Sequence, residues 1–275
     1  MFFSKMHGLK NDFVVINNCI LKIVFSKLLI QKLSNRYTGI GFDQFLLIEK
    51  SSDPLVDFHY RIFNANGEEV FQCGNGARCI AKFIQIKKLI CKNKIVVSTN
   101  TTQMVLENIN NQQVKVIMNA PLFHPHLVDL KVQLISDKYQ VVINQNLIVT
   151  FRVAFLGNPH CVIIVNDVNN IDIETIGRAL NNSSIFLHGV NVEFMEIIND
   201  TTIKIRVYER GVGETKSCGS GACAATAVGI LNNMLKSQVL VKLLGGDLIV
   251  NWDKKLKFLH MIGPAEHVYD GYFNL

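Results

Sequence analysis

Two short loops with the same sequence pattern hold the residues that could do chemistry. Cys73-Gly-Asn-Gly-Ala and Cys218-Gly-Ser-Gly-Ala lie 145 residues apart, and each precedes a helical pattern. Glycine lets the backbone approach a ligand closely, and the first N–H groups of a helix have no partner within it. Such a helix terminus attracts a carboxylate or phosphate and lowers the pKa of a cysteine placed there. Each loop therefore predicts an anion-binding seat beside an activated thiol.

Two such loops facing one another would place a thiol on either side of one α-carbon. A thiolate could then remove the α-proton while the opposite thiol returns a proton to the other face, which a single base cannot easily do. The two helix N-termini would stabilise the charge that develops on the substrate carboxylate. The cysteine pair thus indicates inversion of an α-carbon with no need for an electron-sink cofactor.

The two loops belong to a longer internal repeat. Arg61–Ala77 and Arg206–Ala222 align without a gap, and six of their 17 positions are identical. A second match, at an offset of 147, relates Asn11–Ile16 to Asn158–Ile163. The repeat predicts two related halves, each with a strand that leads into a Cys-Gly loop and a helix.

The elements that must position these loops are mostly strands, which predicts an α+β fold with much antiparallel sheet. Helices are expected at 20–35, 75–90, 173–182 and 220–235. The expected strands are Phe13–Ile16, Phe45–Glu49, Phe58–Phe63, Ile95–Ser98, Val114–Met118, Lys131–Ile135, Val141–Ile143, Leu147–Phe155, Cys161–Val165, Val192–Ile197, Ile203–Tyr208 and Val239–Leu244.

Composition narrows the class of protein. Of the 275 residues, 49% are hydrophobic and 18% are charged, which is typical of a globular chain. The net charge of +6 is scattered with no basic block, so no nucleic-acid partner is expected. The apolar stretch Cys19–Leu33 is interrupted by three lysines, which predicts an amphipathic helix and no membrane span. With no signal-peptide pattern, we expect a cytoplasmic protein with reduced thiols.

Metal and cofactor chemistry has weaker support in the sequence. A zinc site could be drawn from Cys73, Cys79, Cys218, Cys223 and His160, but the spacings exceed those of usual zinc pairs, so no metal is expected. There is no P-loop and no dinucleotide glycine pattern. A Schiff-base lysine for pyridoxal phosphate stays open. Cys19, Cys79, Cys91, Cys161 and Cys223 are predicted to pack in the core.

Further motifs extend along the whole chain. They are Met6-His7-Gly8-Leu9 with Asn11-Asp12-Phe13, Gly39–Gln44, Arg61–Cys79, Gly157–Cys161, Asn191–Phe194, Tyr208–Ala222, Gly263–Ala265 and Val268–Gly271. Together with the two cysteine loops they resemble the diaminopimelate epimerase family, which comprises cofactor-independent enzymes of lysine and peptidoglycan precursor biosynthesis. The resemblance implies two pseudo-symmetric α/β domains, residues 1–118 with 264–275 and residues 119–263, and an active site in the cleft between them. It also implies epimerisation of LL-2,6-diaminoheptanedioate to the meso form.

Carried over position by position, the resemblance implies roles for individual residues. Cys73 and Cys218 correspond to the catalytic thiol and thiolate, and His160 and Glu209 assist them. The groups that hold the reacting carboxylate are Gly74, Asn75, Gly219 and Ser220. The substrate-binding residues are Asn11, Gln44, Asn64, Asn158, Asn191, Glu209 and Arg210. Their amides, arginine and glutamate suit a small substrate with a second zwitterionic end.

The C-terminal segment is a candidate for self-association. Val268-Tyr269 and Tyr272-Phe273 flank the turn signal Asp270-Gly271, and such aromatics either close a core or anchor an interface. The resemblance implies a homodimer contact near Tyr269. We therefore expect a homodimer that acts on a small molecule.

Three positions depart from the family pattern. Lys10, Ser217 and Ile262 stand where Gly, Ala and Thr are usual. If the backbone at position 10 needs a positive φ, Lys10 is strained there.

Three other functions stay open. A proline or hydroxyproline racemase would share the fold, but its substrate has no distal charged end for Asn64, Asn191 and Arg210 to bind. A redox protein would cycle a Cys73–Cys218 disulfide, although redox pairs usually lie close in sequence. A non-catalytic binding module would not need both thiols.

Overall fold

The computed structural model describes residues 1–70, 74–132, 134–144 and 147–274. In chain order the elements are β1 (Phe2–Gly8), β2 (Asn11–Asn17), α1 (Lys27–Ser34), β3 (Gln44–Lys50), β4 (Phe58–Asn64), β5 (Glu69–Val70), α2 (Gly74–Ile86), β6 (Lys94–Ser98), β7 (Gln103–Asn108), β8 (Gln113–Asn119), β9 (Tyr139–Asn144), β10 (Leu147–Phe155), β11 (Pro159–Val165), α3 (Ile173–Asn181), β12 (Asn191–Asn199), β13 (Thr202–Glu209), β14 (Gly213–Thr215), α4 (Gly219–Leu231), β15 (Gln238–Leu243), β16 (Gly246–Trp252), β17 (Phe258–Pro264) and β18 (Glu266–Tyr272). Strands thus dominate the described part of the chain, and the predicted α+β class is confirmed.

The chain forms two compact units, Met1–Met118 with Ile262–Leu275 and Asn119–Met261. The predicted N-terminal and C-terminal epimerase domains, 1–118 with 264–275 and 119–263, stay a prediction. None of the helices in the described residues is long and apolar enough to cross a membrane.

The first unit is a mixed sheet with two helices. β1 pairs with β2 antiparallel, β2 with β3 parallel, β3 with β4 antiparallel, β4 with β6 parallel and β6 with β7 antiparallel. The C-terminal strand β18 returns to pair with β1. The strands of the central parallel pair are covered on both faces, so successive residues Val14, Val15 and Ile16 are all buried.

The second unit repeats this scheme. β10 pairs with β11 antiparallel, β11 with β12 parallel, β12 with β13 antiparallel, β13 with β15 parallel and β15 with β16 antiparallel. In both units a short strand, β5 or β14, pairs with the preceding long strand before a helix begins. The internal sequence repeat therefore has a counterpart in the pairing order of the strands.

Helix α4 is buried on all sides, which explains its composition. Every residue from Gly219 to Ile230 is buried, and most are glycine, alanine or other small residues. Small side chains let the surrounding strands approach the helix closely. A helix that is apolar all round is buried in the protein, and the elements packed around it hold its N-terminus in place.

The predicted helix at 20–35 is wrong in its first part. The helix begins only at Lys27, where the Ser26 hydroxyl accepts a hydrogen bond from the Leu29 N–H. Before it, the Asn18 amide bonds both the N–H and the carbonyl of Ile23 and holds a loop. Local side-chain bonds of this kind compete with helix formation.

Two other helices end earlier than expected. Helix α2 ends at Ile86 and α4 at Leu231, although the patterns predicted residues 90 and 235. Lys88 and Asn233 have φ values of 50° and 58°, and a left-handed residue terminates a helix.

The strand predicted at Lys131–Ile135 is wrong for its described residues, which are not in a strand. An isolated bridge between Leu130 and Phe186 lies beside it, and the Lys131 N–H donates to the Ile185 carbonyl at 2.8 Å. Several strands with polar residues between apolar ones were not predicted, namely β1, β5, β7, β14, β16, β17 and β18.

Of the cysteines predicted in the core, Cys79, Cys161 and Cys223 are buried and Cys19 is half-buried, but Cys91 is exposed beyond the end of α2.

Candidate active site

Cys218 is the N-cap residue of α4. Its backbone is extended, with φ −125° and ψ 113°, and its Sγ accepts a hydrogen bond from the Gly221 N–H at 3.4 Å. The Ser220 hydroxyl lies 3.5 Å from the same sulfur. The sulfur thus takes the place of the side-chain oxygen that usually caps a helix, and the side chain is buried.

The helix terminus lowers the pKa of Cys218 as expected, but other effects outweigh it. Burial raises the pKa of the thiol well above its ordinary value, and the carboxylates of Glu209 and Glu193 raise it further. The Ser220 hydroxyl and the Gly221 N–H lower it, but their effect is smaller. The net direction favours the protonated thiol.

His160 lies beside this helix terminus, fully buried on β11. Its Nε2 is 2.9 Å from the Asn158 Oδ1, and its Nδ1 is 2.7 Å from the Glu193 Oε1. The Asn158 amide in turn donates a hydrogen bond to the Ser220 hydroxyl at 3.2 Å. The predicted residues Asn158, His160, Ser220 and Cys218 are thus brought together.

Glu209 and Arg210 lie at the end of β13. The Glu209 carboxylate accepts a hydrogen bond from the Thr215 hydroxyl at 2.5 Å. Burial raises the pKa of Glu209, and that bond lowers it only in part. The Arg210 side chain is exposed, with a hydrogen bond to the His188 carbonyl at 3.3 Å.

Asn191, a predicted substrate-binding residue, makes two hydrogen bonds to the backbone. Its Nδ2 donates to the Pro159 carbonyl at 3.1 Å, and its Oδ1 accepts the Arg210 N–H at 3.0 Å. The side chain thereby ties the start of β11 to the residue after β13. In this structure Asn191 positions the backbone of Arg210.

The first unit holds a second set of predicted residues at the start of α2. The Asn75 Nδ2 donates to the Asn11 Oδ1 at 3.2 Å, and Asn11 donates to the Asp43 carboxylate at 3.1 Å. The buried Arg78 donates to the Asn75 Oδ1 at 2.8 Å and to the Pro264 carbonyl at 3.0 Å. Gly74 and Asn75 are the first two residues of the helix, so their N–H groups lie at its positive end.

Gln44 and Asn64 face each other across β3 and β4. The Gln44 Nε2 donates to the Asn64 Oδ1 at 2.9 Å. The Gln44 Oε1 is buried and has no hydrogen-bond partner among the described residues. A buried acceptor of this kind is suited to a substrate donor.

Cys73 lies outside the described residues, as do Phe71 and Gln72. The predicted pairing of the two thiols and the cleft between the domains stay predictions.

Lys10 has a φ of 66°, so the backbone there is left-handed, the conformation for which glycine is usual. Within the described residues no group of three or more His, Cys, Asp and Glu side chains is placed to hold a metal ion.

Sequence reasoning missed two residues that touch the candidate site. Glu193 lies in the motif Asn191–Phe194, and Arg78 follows the first cysteine loop, but neither was assigned a role. The signal for Glu193 was an acidic residue inside a strand of apolar residues. Both side chains are fully buried, which is rare for charged residues without a partner.

Solved structures of other racemases and epimerases share this fold. The chain matches a probable proline racemase from Agrobacterium radiobacter K84 with a TM-score of 0.76 at 13% identity, covering all of this chain and 93% of that one. It matches a hydroxyproline epimerase from Agrobacterium vitis with a TM-score of 0.72 at 13% identity, covering 98% and 91%. At this identity the likeness concerns the fold alone.

Sequence comparisons are much closer. The family model for diaminopimelate epimerase matches residues 3–123 and 152–268. The diaminopimelate epimerase of Buchnera aphidicola subsp. Acyrthosiphon pisum (strain APS) is 53% identical over 272 residues, which are 98% of this chain and 95% of that protein. The diaminopimelate epimerase of Blochmanniella floridana is 47% identical over 280 residues and covers both chains fully. The chain therefore belongs to the diaminopimelate epimerase family.

Proposed function

We propose that this protein converts LL-2,6-diaminoheptanedioate to its meso form by a two-base proton transfer between the thiols of Cys73 and Cys218. Membership of the family makes the protein an amino-acid epimerase, and the name of its relatives supplies the substrate. The observation that carries the mechanism is the Cys218 thiol at the N-cap of α4, with the Ser220 hydroxyl and the Gly221 N–H within reach of its sulfur.

In one direction of the reaction Cys218 is the acid. The Cys73 thiolate takes the α-proton, and the electron pair of the broken Cα–H bond delocalises into the carboxylate. Cys218 then gives its proton to the opposite face of the carbon and becomes the thiolate. The raised pKa of Cys218 supports this role, because a proton donor must be protonated when substrate binds. In the reverse direction the two thiols exchange roles.

The reacting carboxylate needs donors that become more effective as charge develops on it. The N–H groups of Gly219 and Ser220 at the start of α4 are such donors, and those of Gly74 and Asn75 are their counterparts in α2. They are preorganised, since each belongs to a helix whose first turn is buried.

Substrate recognition is assigned to the polar groups around the two loops. Asn11 and Gln44 serve in the first unit, where the buried Gln44 Oε1 can accept a bond from an ammonium. Asn158, Glu209 and Arg210 serve in the second unit. Arg210 is suited to the distal carboxylate, because guanidinium binds carboxylates in a bidentate manner. Asn64 and Asn191 complete the set of substrate-binding residues. Asn64 also accepts a hydrogen bond from Gln44, and Asn191 one from the backbone of Arg210.

Deuterium exchange tests the proposed function directly. Purified protein is incubated with LL-diaminoheptanedioate in deuterated water under reducing conditions and without added cofactor. We expect deuterium at the α-carbon together with meso product. L-Proline and trans-4-hydroxy-L-proline serve as control substrates and should show no exchange. Absence of exchange with the diamino acid, or faster exchange with the imino acids, would contradict the proposal.

A further inference from the structure

Glu193 is a fully buried acidic residue in the second unit, on strand β12. Its Oε1 lies 2.7 Å from the His160 Nδ1, and neither side chain is exposed. Its Oε2 has no hydrogen-bond partner among the described residues. Burial raises the pKa of Glu193, and His160 opposes that rise. Burying a carboxylate is costly unless it is paired and hydrogen-bonded.

The glutamate is one end of a continuous series of side chains. His160 contacts the Asn158 Oδ1 at 2.9 Å, and the Asn158 Nδ2 donates to the Ser220 Oγ at 3.2 Å. Ser220 lies 3.5 Å from the Cys218 sulfur, at the other end of the series. Gly221 leaves the space that Glu193 occupies, because a Cβ at that position would lie 2.7 Å from its Oε1.

The contacts define how many protons the buried pair holds. The Asn158 oxygen can only accept, so the His160 Nε2 must carry a proton. The contact between Nδ1 and Glu193 then holds one further proton, either on the ring or on the carboxylate. Removing that proton would leave a lone buried carboxylate, and adding another would leave a lone buried cation. Both are costly where neither side chain is exposed, so the 2.7 Å contact is a hydrogen bond that holds one proton.

Other titratable groups lie near this pair on the neighbouring elements. Cys161 lies on β11, Glu209 on β13 and Cys218 on α4, and the charge of Glu193 acts on each of them. A shared proton leaves the pair with no net charge. It therefore reduces the repulsion that Glu193 would exert on a thiolate at Cys218.

We propose that Glu193 is a positioning residue of the reaction: it holds His160 with a shared proton, and His160 in turn fixes Asn158 and Ser220 against the Cys218 thiol. The inference rests on the proposed function. It assigns Glu193 no contact with substrate, and its effect on the rate passes through the ring of His160.

The first test replaces Glu193 by an isosteric amide. Glu193→Gln cannot share a proton in the same way, so we expect kcat to fall by about 10- to 100-fold, as when an outer carboxylate that orients a histidine is lost. KM should change little, because Glu193 is assigned no contact with substrate. Glu196→Gln is the matched control, since Glu196 lies on the same strand and accepts a hydrogen bond from the Val168 N–H. We expect that control to keep the wild-type kcat and KM.

A double-mutant cycle separates action through His160 from a general structural effect. If Glu193 acts through the ring, Glu193→Gln should cost little further rate in a His160→Gln background. Independent losses that multiply in the double variant, or a wild-type kcat in Glu193→Gln, would overturn the proposal.

A measurement on the wild-type protein does not depend on any variant folding. With ¹⁵N-labelled histidine, the His160 ring should carry a proton on Nε2, because the Asn158 oxygen can only accept a hydrogen bond. A ring without a proton on Nε2 would contradict the series of contacts. If the wild type shows no epimerisation while the ring behaves as expected, the proposed function fails and the proton-sharing pair stands.

Discussion

The thiol of Cys218 is placed between groups that oppose its ionisation and groups that favour it. Burial and two carboxylates raise its pKa, while the Ser220 hydroxyl and the Gly221 N–H at the helix terminus lower it. A substrate carboxylate in the same seat would add a further negative charge and favour the protonated thiol still more. These effects favour the protonated thiol, which is the form that the proposed role of Cys218 as proton donor requires.

Removal of this thiol should abolish inversion. In Cys218→Ala we expect no meso product from LL-diaminoheptanedioate, because one of the two required acid and base groups is lost. Product formation is measured by chiral separation after incubation in deuterated water. Cys91→Ala is the control, since Cys91 is exposed and should be dispensable. A Cys218→Ala enzyme that still epimerises near the wild-type rate would show that the thiol is misassigned.

Arg210 is exposed, and its guanidinium makes one hydrogen bond at 3.3 Å to the His188 carbonyl. Its charge is therefore placed where a carboxylate can reach it.

Arg210→Ala should reduce kcat/KM by an amount equivalent to roughly 2–5 kcal/mol, the cost of leaving the distal carboxylate of the substrate unpaired in the complex. Both KM and kcat should change, because binding energy at the distal end positions the reacting carbon. Arg178→Ala, on the exposed face of α3, should behave as wild type in the same steady-state assay. Normal turnover by Arg210→Ala would refute the argument from charged ends.

At the scale of elements, a partly exposed ion network ties β1 and β2 to the segment before β3. Asp12 accepts hydrogen bonds from Lys5 at 2.5 Å and from Arg36 at 3.0 and 2.8 Å, and it also accepts the Asp43 N–H at 2.9 Å. Burial alone would raise the pKa of Asp12, but the bonds from Arg36 and Lys5 outweigh it and hold the pKa well below its ordinary value. The network also places Asp43, which accepts the bond from Asn11.

This network predicts a specific dependence of stability on pH. At pH 7, Asp12→Asn should lower the free energy of unfolding by roughly 1.5–3 kcal/mol, the usual contribution of hydrogen bonds to a charged group. The lowered pKa means that the wild-type advantage is fully present above the unfolded-state pKa of about 3.9 and is lost as the pH falls through the folded-state pKa. Urea denaturation of both proteins from pH 7 to pH 3 measures the difference.

The surface pair Asp200–Lys236 provides the control for that series. Both partners are more than half exposed, so Asp200→Asn should change stability by at most about 1 kcal/mol. An Asp12→Asn deficit that stays constant, or grows, as the solution is acidified would contradict the assignment of stability to the ionised Asp12.

At the scale of the whole molecule, the first unit carries an exposed aromatic surface on β1 and β18. The side chains of Phe2, Val268 and Tyr272 are more than half exposed, and Tyr269 is 45% exposed with its ring edge against Phe3. Exposed apolar side chains that cluster in this way are typical of interfaces. The surface supports the expected homodimer, in which an isologous contact would stiffen the unit that carries α2.

Sedimentation velocity tests this assembly. We expect a dimer at micromolar concentration, and we expect Tyr269→Ala to shift it towards a less active monomer. Tyr37→Ala is the control, because Tyr37 is 98% exposed and lies outside this surface. A wild-type protein that sediments as a fully active monomer would rule the homodimer out.

The sequence by itself determined the features that depend on nearby residues. The repeated Cys-Gly-x-Gly-Ala loops and the motifs around them predicted two related halves and the family, and the family membership and the fold class are confirmed. The start of α4 was predicted to within one residue, because the sequence of a cap and of the helix after it is local. The early end of α2 was not, since it depends on the left-handed backbone at Lys88.

Only the tertiary structure decided how charge is distributed around Cys218. His160 and Glu193 are 33 residues apart and meet because β11 and β12 pair in parallel, and Glu209 reaches the thiol because β13 ends beside α4. A helix terminus in water would lower the pKa of a cysteine, but burial and carboxylates from distant segments reverse the direction. Burial and electrostatic energies are summed over all neighbours in space, and a linear motif does not specify those neighbours. For the same reason the motif that predicts Asn191 as a substrate-binding residue does not reveal its hydrogen bonds to Pro159 and Arg210.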